Sequence, residues 1–182
     1  DDFLKQADTA MYRAKAAGRN EICFFLPSMQ EAADEKLHIS TELRHALKQD
    51  ELLIHLQPQV DMSGLLIGAE VLLRWNHPKR GMIPPSVFLS IAEENGLMQE
   101  IGRWVLKEAC HKIKQWKDSG QLKESQIISV NISGSEIAAP DFVASINKVL
   151  AETGADPRHL GIELTEGSLI STGKDIVEKM MK

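Results

Sequence analysis

Apolar residues set the rhythm of the chain before any motif does. Phe3, Leu4, Ala7, Ala10, Met11, Ala14 and Ala17 recur at helical spacing, which predicts a helix over 3–17 that Gly18 stops. Residues 21–26 are short, apolar and aromatic, which predicts a strand. Pro27 and Ser28 break that run and cap a charged helix over 29–49, with Ile39, Leu43, Ala46 and Leu47 on one face. After Asp50 the period changes. Residues 52–60 alternate as a strand, 61–64 form a turn, and 65–75 return as a second strand, so the pair reads as a hairpin. Residues 76–81 read as loop.

Pro84 and Pro85 then open a helix at its first turn, where a missing N–H costs nothing, and Gly96 ends it. A longer helix follows, with Ile101, Trp104, Val105, Ala109, Ile113 and Trp116 on its buried side. Next come a strand over 127–133, a helix over about 135–152, a strand over 159–165 and the start of a helix over 173–182. Strands alternating with helices point to an α/β fold built on a parallel sheet or barrel.

Three of these strands set polar residues against apolar ones. Glu70, Leu72 and Arg74 share one face of their strand, opposite Ala69, Val71 and Leu73. Ser129, Asn131 and Ser133 oppose Ile128, Val130 and Ile132, and Gly161, Glu163 and Thr165 oppose Leu160, Ile162 and Leu164. The apolar sets can meet covering helices, which turns the polar sets toward a barrel interior or a strand-end cleft. An unpaired carboxylate there needs a cation or a donor, and α/β barrels build their active sites at strand C-termini. Glu70, Asn131 and Glu163 are an all-oxygen set of the kind that suits Mg²⁺ or Mn²⁺ better than zinc. The six histidines form no zinc spacing. Taken singly, each of the three has a plainer role as a polar residue bonded to its neighbours; their joint placement is what favours a metal.

Composition narrows the partners. A net charge of −5 argues against binding to a nucleic-acid polymer. No apolar run approaches the ~20 residues of a membrane helix, and there is no secretory signal pattern. Cys23 and Cys110 form no CxxC pair and read as reduced thiols, so a cytoplasmic setting is expected, although the parent could be membrane-anchored through other parts. The first residue is Asp1 rather than Met, so a piece of a longer protein is expected.

Gln57-Pro58 in "LQPQV", then "GAEVLLRWNHPKRGMIPPSVFLSIAEENGL", "SVNIS" and "GIELTE", in that order and spacing, resemble the EAL-domain cyclic di-GMP phosphodiesterases over roughly 41–182. The earlier "ADTAMYRAKAAGRNEICFF" resembles the last helix and strand of a GGDEF domain. The resemblance implies a partial TIM-like (β/α)8 barrel whose first strand is antiparallel, truncated after about four strands and preceded by a helical linker. It implies residues 1–26 as the tail of a GGDEF domain in the same polypeptide, 27–49 as the linker and 50–182 as the front of an EAL domain.

By the same resemblance, the intact parent hydrolyses cyclic di-GMP to pGpG with Mg²⁺ or Mn²⁺ and forms a homodimer. Glu70, Asn131 and Glu163 match metal ligands, and Glu70 is also the catalytic motif glutamate. Arg74 matches the arginine that holds a substrate phosphate, Gln57 a glutamine lining the substrate cleft, and Glu166 a glutamate that steadies an active-site loop. Arg74 has a plainer reading as a surface ion-pair partner, Gln57 as a side chain bonded only to backbone, and Glu166 as a helix N-terminal charge. The signature here reads Glu70-Val71-Leu72 rather than Glu-Ala-Leu. Val71 lies on the face opposite Glu70, so this departure alters packing and not the ligand. The family's Asp-Asp pair, catalytic lysine, further glutamate and glutamine belong after Lys182. This chain alone is therefore expected to be inactive. A non-catalytic cyclic di-GMP receptor or regulatory domain is the alternative.

Overall fold

The computed structural model of the protein describes residues 2–16, 18–20 and 22–164. The chain divides into two compact units, 1–43 and 44–182, with the break inside a helix. The first unit holds α1 (Asp2–Ala16) and most of α2 (Pro27–Ala46). Ala10 and Met29 are buried, and Thr9 Oγ1 donates to Gln30 Oε1 at 3.1 Å. The strand predicted over 21–26 is not found: residues 22–26 carry no ladder, and Ile22, Phe24 and Leu26 are exposed. Strand formation is a pairing event, and an apolar run has no ladder without a neighbour to satisfy its N–H and C=O groups.

The second unit opens with the predicted hairpin. β1 (Leu52–Val60) pairs antiparallel with β2 (Leu66–His77), from Leu52↔Trp75 to Val60↔Leu66. Asp61 fixes the turn. Its Oδ1 accepts from Ser63 Oγ at 2.6 Å, Ser63 N at 2.8 Å and Leu65 N at 3.0 Å. These bonds, the Ser63 hydroxyl first, hold the carboxyl below its ordinary range.

The predicted loop over 76–81 is shorter than expected. β2 runs on to His77, and β3 (Gly81–Ile83) folds back onto it. His77 Nδ1 accepts the N–H groups of Lys79 and Arg80, both at 3.1 Å, and Gly81 at φ +68° makes the reversal.

α3 (Pro85–Glu94) starts on its proline as predicted, and α4 (Met98–Asp118) follows. β4 (Ile127–Ile132) leads to α5 (Gly134–Ala138) and α6 (Phe142–Thr153), then to β5 (Leu160–Leu164). A single helix was expected across α5 and α6. Pro140 divides it, because proline cannot donate to the preceding turn and its ring clashes with it.

The sheet order is β1-β2-β4-β5, with β3 on β2; β2, β4 and β5 are mutually parallel and β1 is antiparallel. Helices cross between the parallel strands, as in the opening sector of a (β/α)8 barrel. Ala69, Val71, Leu73 and Trp75 are buried on one face of β2, and Ile128, Val130 and Ile132 on β4. Helix α4 packs on β4 and buries Ile101, Val105, Ala109 and Ile113. Trp104 and Trp116 are only half-buried, against the expectation of a buried position, which is usual for so large a side chain. Trp75 is fully buried, meets Phe88 edge-on at 5.6 Å and donates Nε1–H to Glu51 Oε2 at 3.0 Å. No helix among the described residues is long and apolar enough to cross a membrane.

Candidate active site

Register brings the polar residues together. Gln57 is the direct partner of Glu70 across the hairpin, Glu70 is beside Ser129, and Asn131 is beside Glu163. Side chains at these positions alternate with the buried set, so Gln57, Glu70, Asn131 and Glu163 share one face over four adjacent strands. Asn131 Nδ2 donates to Glu70 Oε1 at 2.6 Å. Glu163 Oε1 accepts from Gln59 Nε2 at 3.5 Å. Gln59 was not anticipated. The signal was available, since it lies two residues past Gln57 and a strand returns to the same face at every second residue.

Above Val71↔Val130 the pairing of β2 with β4 stops. A cleft of about 690 Å³ lies there, lined by Leu72, Arg74, Asn131 and Ser133 from the strand ends and by Ser90 and Glu93 from α3. Arg74 Nη1 donates to the Leu73 carbonyl at 2.8 Å, so the guanidinium is held near the strand and at the cleft. This places a positive charge four residues, about two repeats of the pleat, beyond Glu70 on the same face of β2. Glu166, and the helix expected over 173–182, lie outside the described residues.

The donor chemistry fits a hard divalent cation. Two carboxylates and an amide are all oxygen ligands once the Asn131 amide is turned over to present Oδ1, and its orientation here is the one that gives Glu70 a hydrogen bond. Among the described residues no three of His, Cys, Asp or Glu come together. Glu70 and Glu163 stand on either side of Asn131, the first hydrogen-bonded to its amide and the second its register partner.

The EAL domain family matches residues 40–182. The bifunctional diguanylate cyclase/cyclic di-GMP phosphodiesterase MucR of Pseudomonas aeruginosa is 42% identical over 168 residues, covering 92% of this chain and 24% of that protein. The cyclic di-GMP phosphodiesterase PdeR of Escherichia coli is 40% identical over 169 residues, covering 92% of this chain and 25% of that protein. This chain thus spans about a quarter of the length of these relatives. Among solved structures, the PaMucR phosphodiesterase in complex with c-di-GMP superposes with a TM-score of 0.73 and 37% identity, covering 79% of this chain and 59% of that one.

Proposed function

The chain belongs to the EAL domain family, and on that premise we propose that it supplies part of the catalytic site of a phosphodiesterase that hydrolyses cyclic di-GMP to pGpG. The observation that carries the reading is the meeting of Glu70 with Asn131 at 2.6 Å, with Glu163 as the register partner of Asn131. Glu70, Asn131 and Glu163 would hold the cation, Mg²⁺ or Mn²⁺. Such a cation supplies Lewis-acid stabilisation of charge on a phosphoryl oxygen.

The chain's own residues do the rest of what is proposed here. Arg74, at the cleft, binds a phosphate oxygen through its planar fork of donors. Gln57, beside Glu70, orients the nucleotide from the opposite strand. Glu166, outside the described residues, is proposed from the family resemblance as the glutamate that steadies an active-site loop. Residues 1–26 are proposed as the tail of a GGDEF domain and 27–49 as the linker to it, in a cytoplasmic, homodimeric parent. The name of MucR, which joins a diguanylate cyclase to a cyclic di-GMP phosphodiesterase, supports a cyclase domain in the same polypeptide.

The test uses the full-length parent with Mn²⁺, following cyclic di-GMP and pGpG by chromatography. Asn131→Ala should lower turnover by about 100-fold or more, since loss of a residue that merely supports a ligand already costs about 10–100-fold. Tight binding of cyclic di-GMP by wild-type protein with no pGpG formed would replace this reading by that of a receptor.

A further inference from the structure

Ser133 closes β4 and caps α5, two residues beyond Asn131. Its main-chain N–H donates to Glu136 Oε2 at 2.9 Å, and its hydroxyl donates to the same oxygen. The Glu136 N–H returns a bond to Ser133 Oγ at 3.4 Å, which completes a capping box. An exposed glutamate can make those bonds as well. This one is only 7% exposed, and glutamate is almost never so buried unless something holds it.

The other carboxylate oxygen faces α4. A Cβ added at Gly102 would lie 1.6 Å from Glu136 Oε1 and 2.6 Å from its Cδ. Gly102 is therefore the seat of the carboxyl: any side chain there would displace it. Ile132 and Ile137, on either side of the cap, are buried at 2% and 1% exposure, so the junction cannot slide without opening the core. Glu136 thus holds the end of β4 through Ser133 while packing against α4 at Gly102, at the wall of the cleft that Asn131 and Arg74 line.

We propose that Glu136, seated on Gly102, is a positioning residue that fixes the β4–α5 junction and so holds Asn131 in reach of Glu70 and Glu163. The inference rests on the metal reading given above. Nothing in it requires Glu136 to touch the cation or the nucleotide.

The test measures Mn²⁺ affinity by calorimetry on the full-length parent, beside the turnover of cyclic di-GMP. Glu136→Ala should weaken Mn²⁺ binding by about 10-fold, the lower end of what losing a supporting partner costs. Glu136→Gln should stay within about twofold of wild type, because glutamine serves in the same cap. Gly102→Ala, which leaves the cap residues in place, should weaken Mn²⁺ binding like Glu136→Ala by evicting the carboxyl. The double variant should be no worse than Glu136→Ala alone, since the shortened side chain vacates the space that the new methyl needs. Wild-type protein that binds Mn²⁺ while the Glu136→Ala and Gly102→Ala variants match it would overturn the inference alone, as would additive losses in the double variant. Wild-type protein that takes up no Mn²⁺ would overturn the metal reading, and the inference with it.

Discussion

Glu136 and Gln59 carry the finest detail of the site; Gln59 follows from strand period once Gln57 is placed, whereas Glu136 has no such signal. Glu136 reads as an ordinary first-turn acid until the fold sets Gly102 against it. Its burial depends on where α4 crosses β4, which no local pattern encodes. Glu70, Asn131 and Glu163 were legible because strand period sorts them from Val71, Val130 and Ile162 without any tertiary knowledge. Burial also gives Glu136 a pH signature. Desolvation pushes its carboxyl above the ordinary 4.5, with the Ser133 hydroxyl and N–H pulling the other way. The folded protein then takes up this proton more readily than the unfolded chain. The resulting stabilisation is fully present below the unfolded value and is lost as pH rises through the folded value. Unfolding midpoints of wild type and Glu136→Gln should therefore diverge in favour of wild type on going from about pH 7 to about pH 4. A difference that stays constant across that range would show that the carboxyl is not desolvated.

Pairing decides which apolar runs become strands. β2 was legible from its alternation, and its partner β1 from the turn residues between them. Residues 22–26 have similar composition and no ladder, because what separates them from β1 is the neighbour and not the residues. The division of α5 from α6 followed from Pro140, a signal present in the sequence but outweighed there by the apolar residues around it. Close strand approach depends on two glycines of unequal tolerance. At Gly68 an added Cβ would lie 2.1 Å from the main-chain oxygen of Ile127, which is its register partner and cannot rotate away. At Gly161 it would meet Ile127 Cγ2 and Ser129 Oγ, both at 2.8 Å, and these are side-chain atoms that can shift. Gly68→Ala should cost about 3 kcal/mol or more and Gly161→Ala nearer 1 kcal/mol, the two ends of the overpacking range. Chemical denaturation of both variants checks the order. Equal losses, or a larger loss at Gly161, would show that β2 and β4 are not as closely paired as described.

At the scale of the molecule, the described strands make one side of a barrel. Among the described residues the sheet runs from β1 to β5, and a (β/α)8 barrel takes about 250 residues. The antiparallel first strand and the parallel crossovers were expected from the motifs and are present. Glu70, Asn131 and Glu163 come from three neighbouring strands of that side, so their approach depends on β2, β4 and β5 pairing in this register.

Whether Glu70 is a ligand in a metal-dependent phosphodiesterase site is decided by Mn²⁺-dependent conversion of cyclic di-GMP to pGpG by the full-length parent, wild type beside Glu70→Ala. With Glu70 as that ligand, wild-type turnover should disappear on chelation, and Glu70→Ala should fold but leave cyclic di-GMP intact. Near-normal pGpG formation by Glu70→Ala, or wild-type turnover indifferent to chelator, would contradict it.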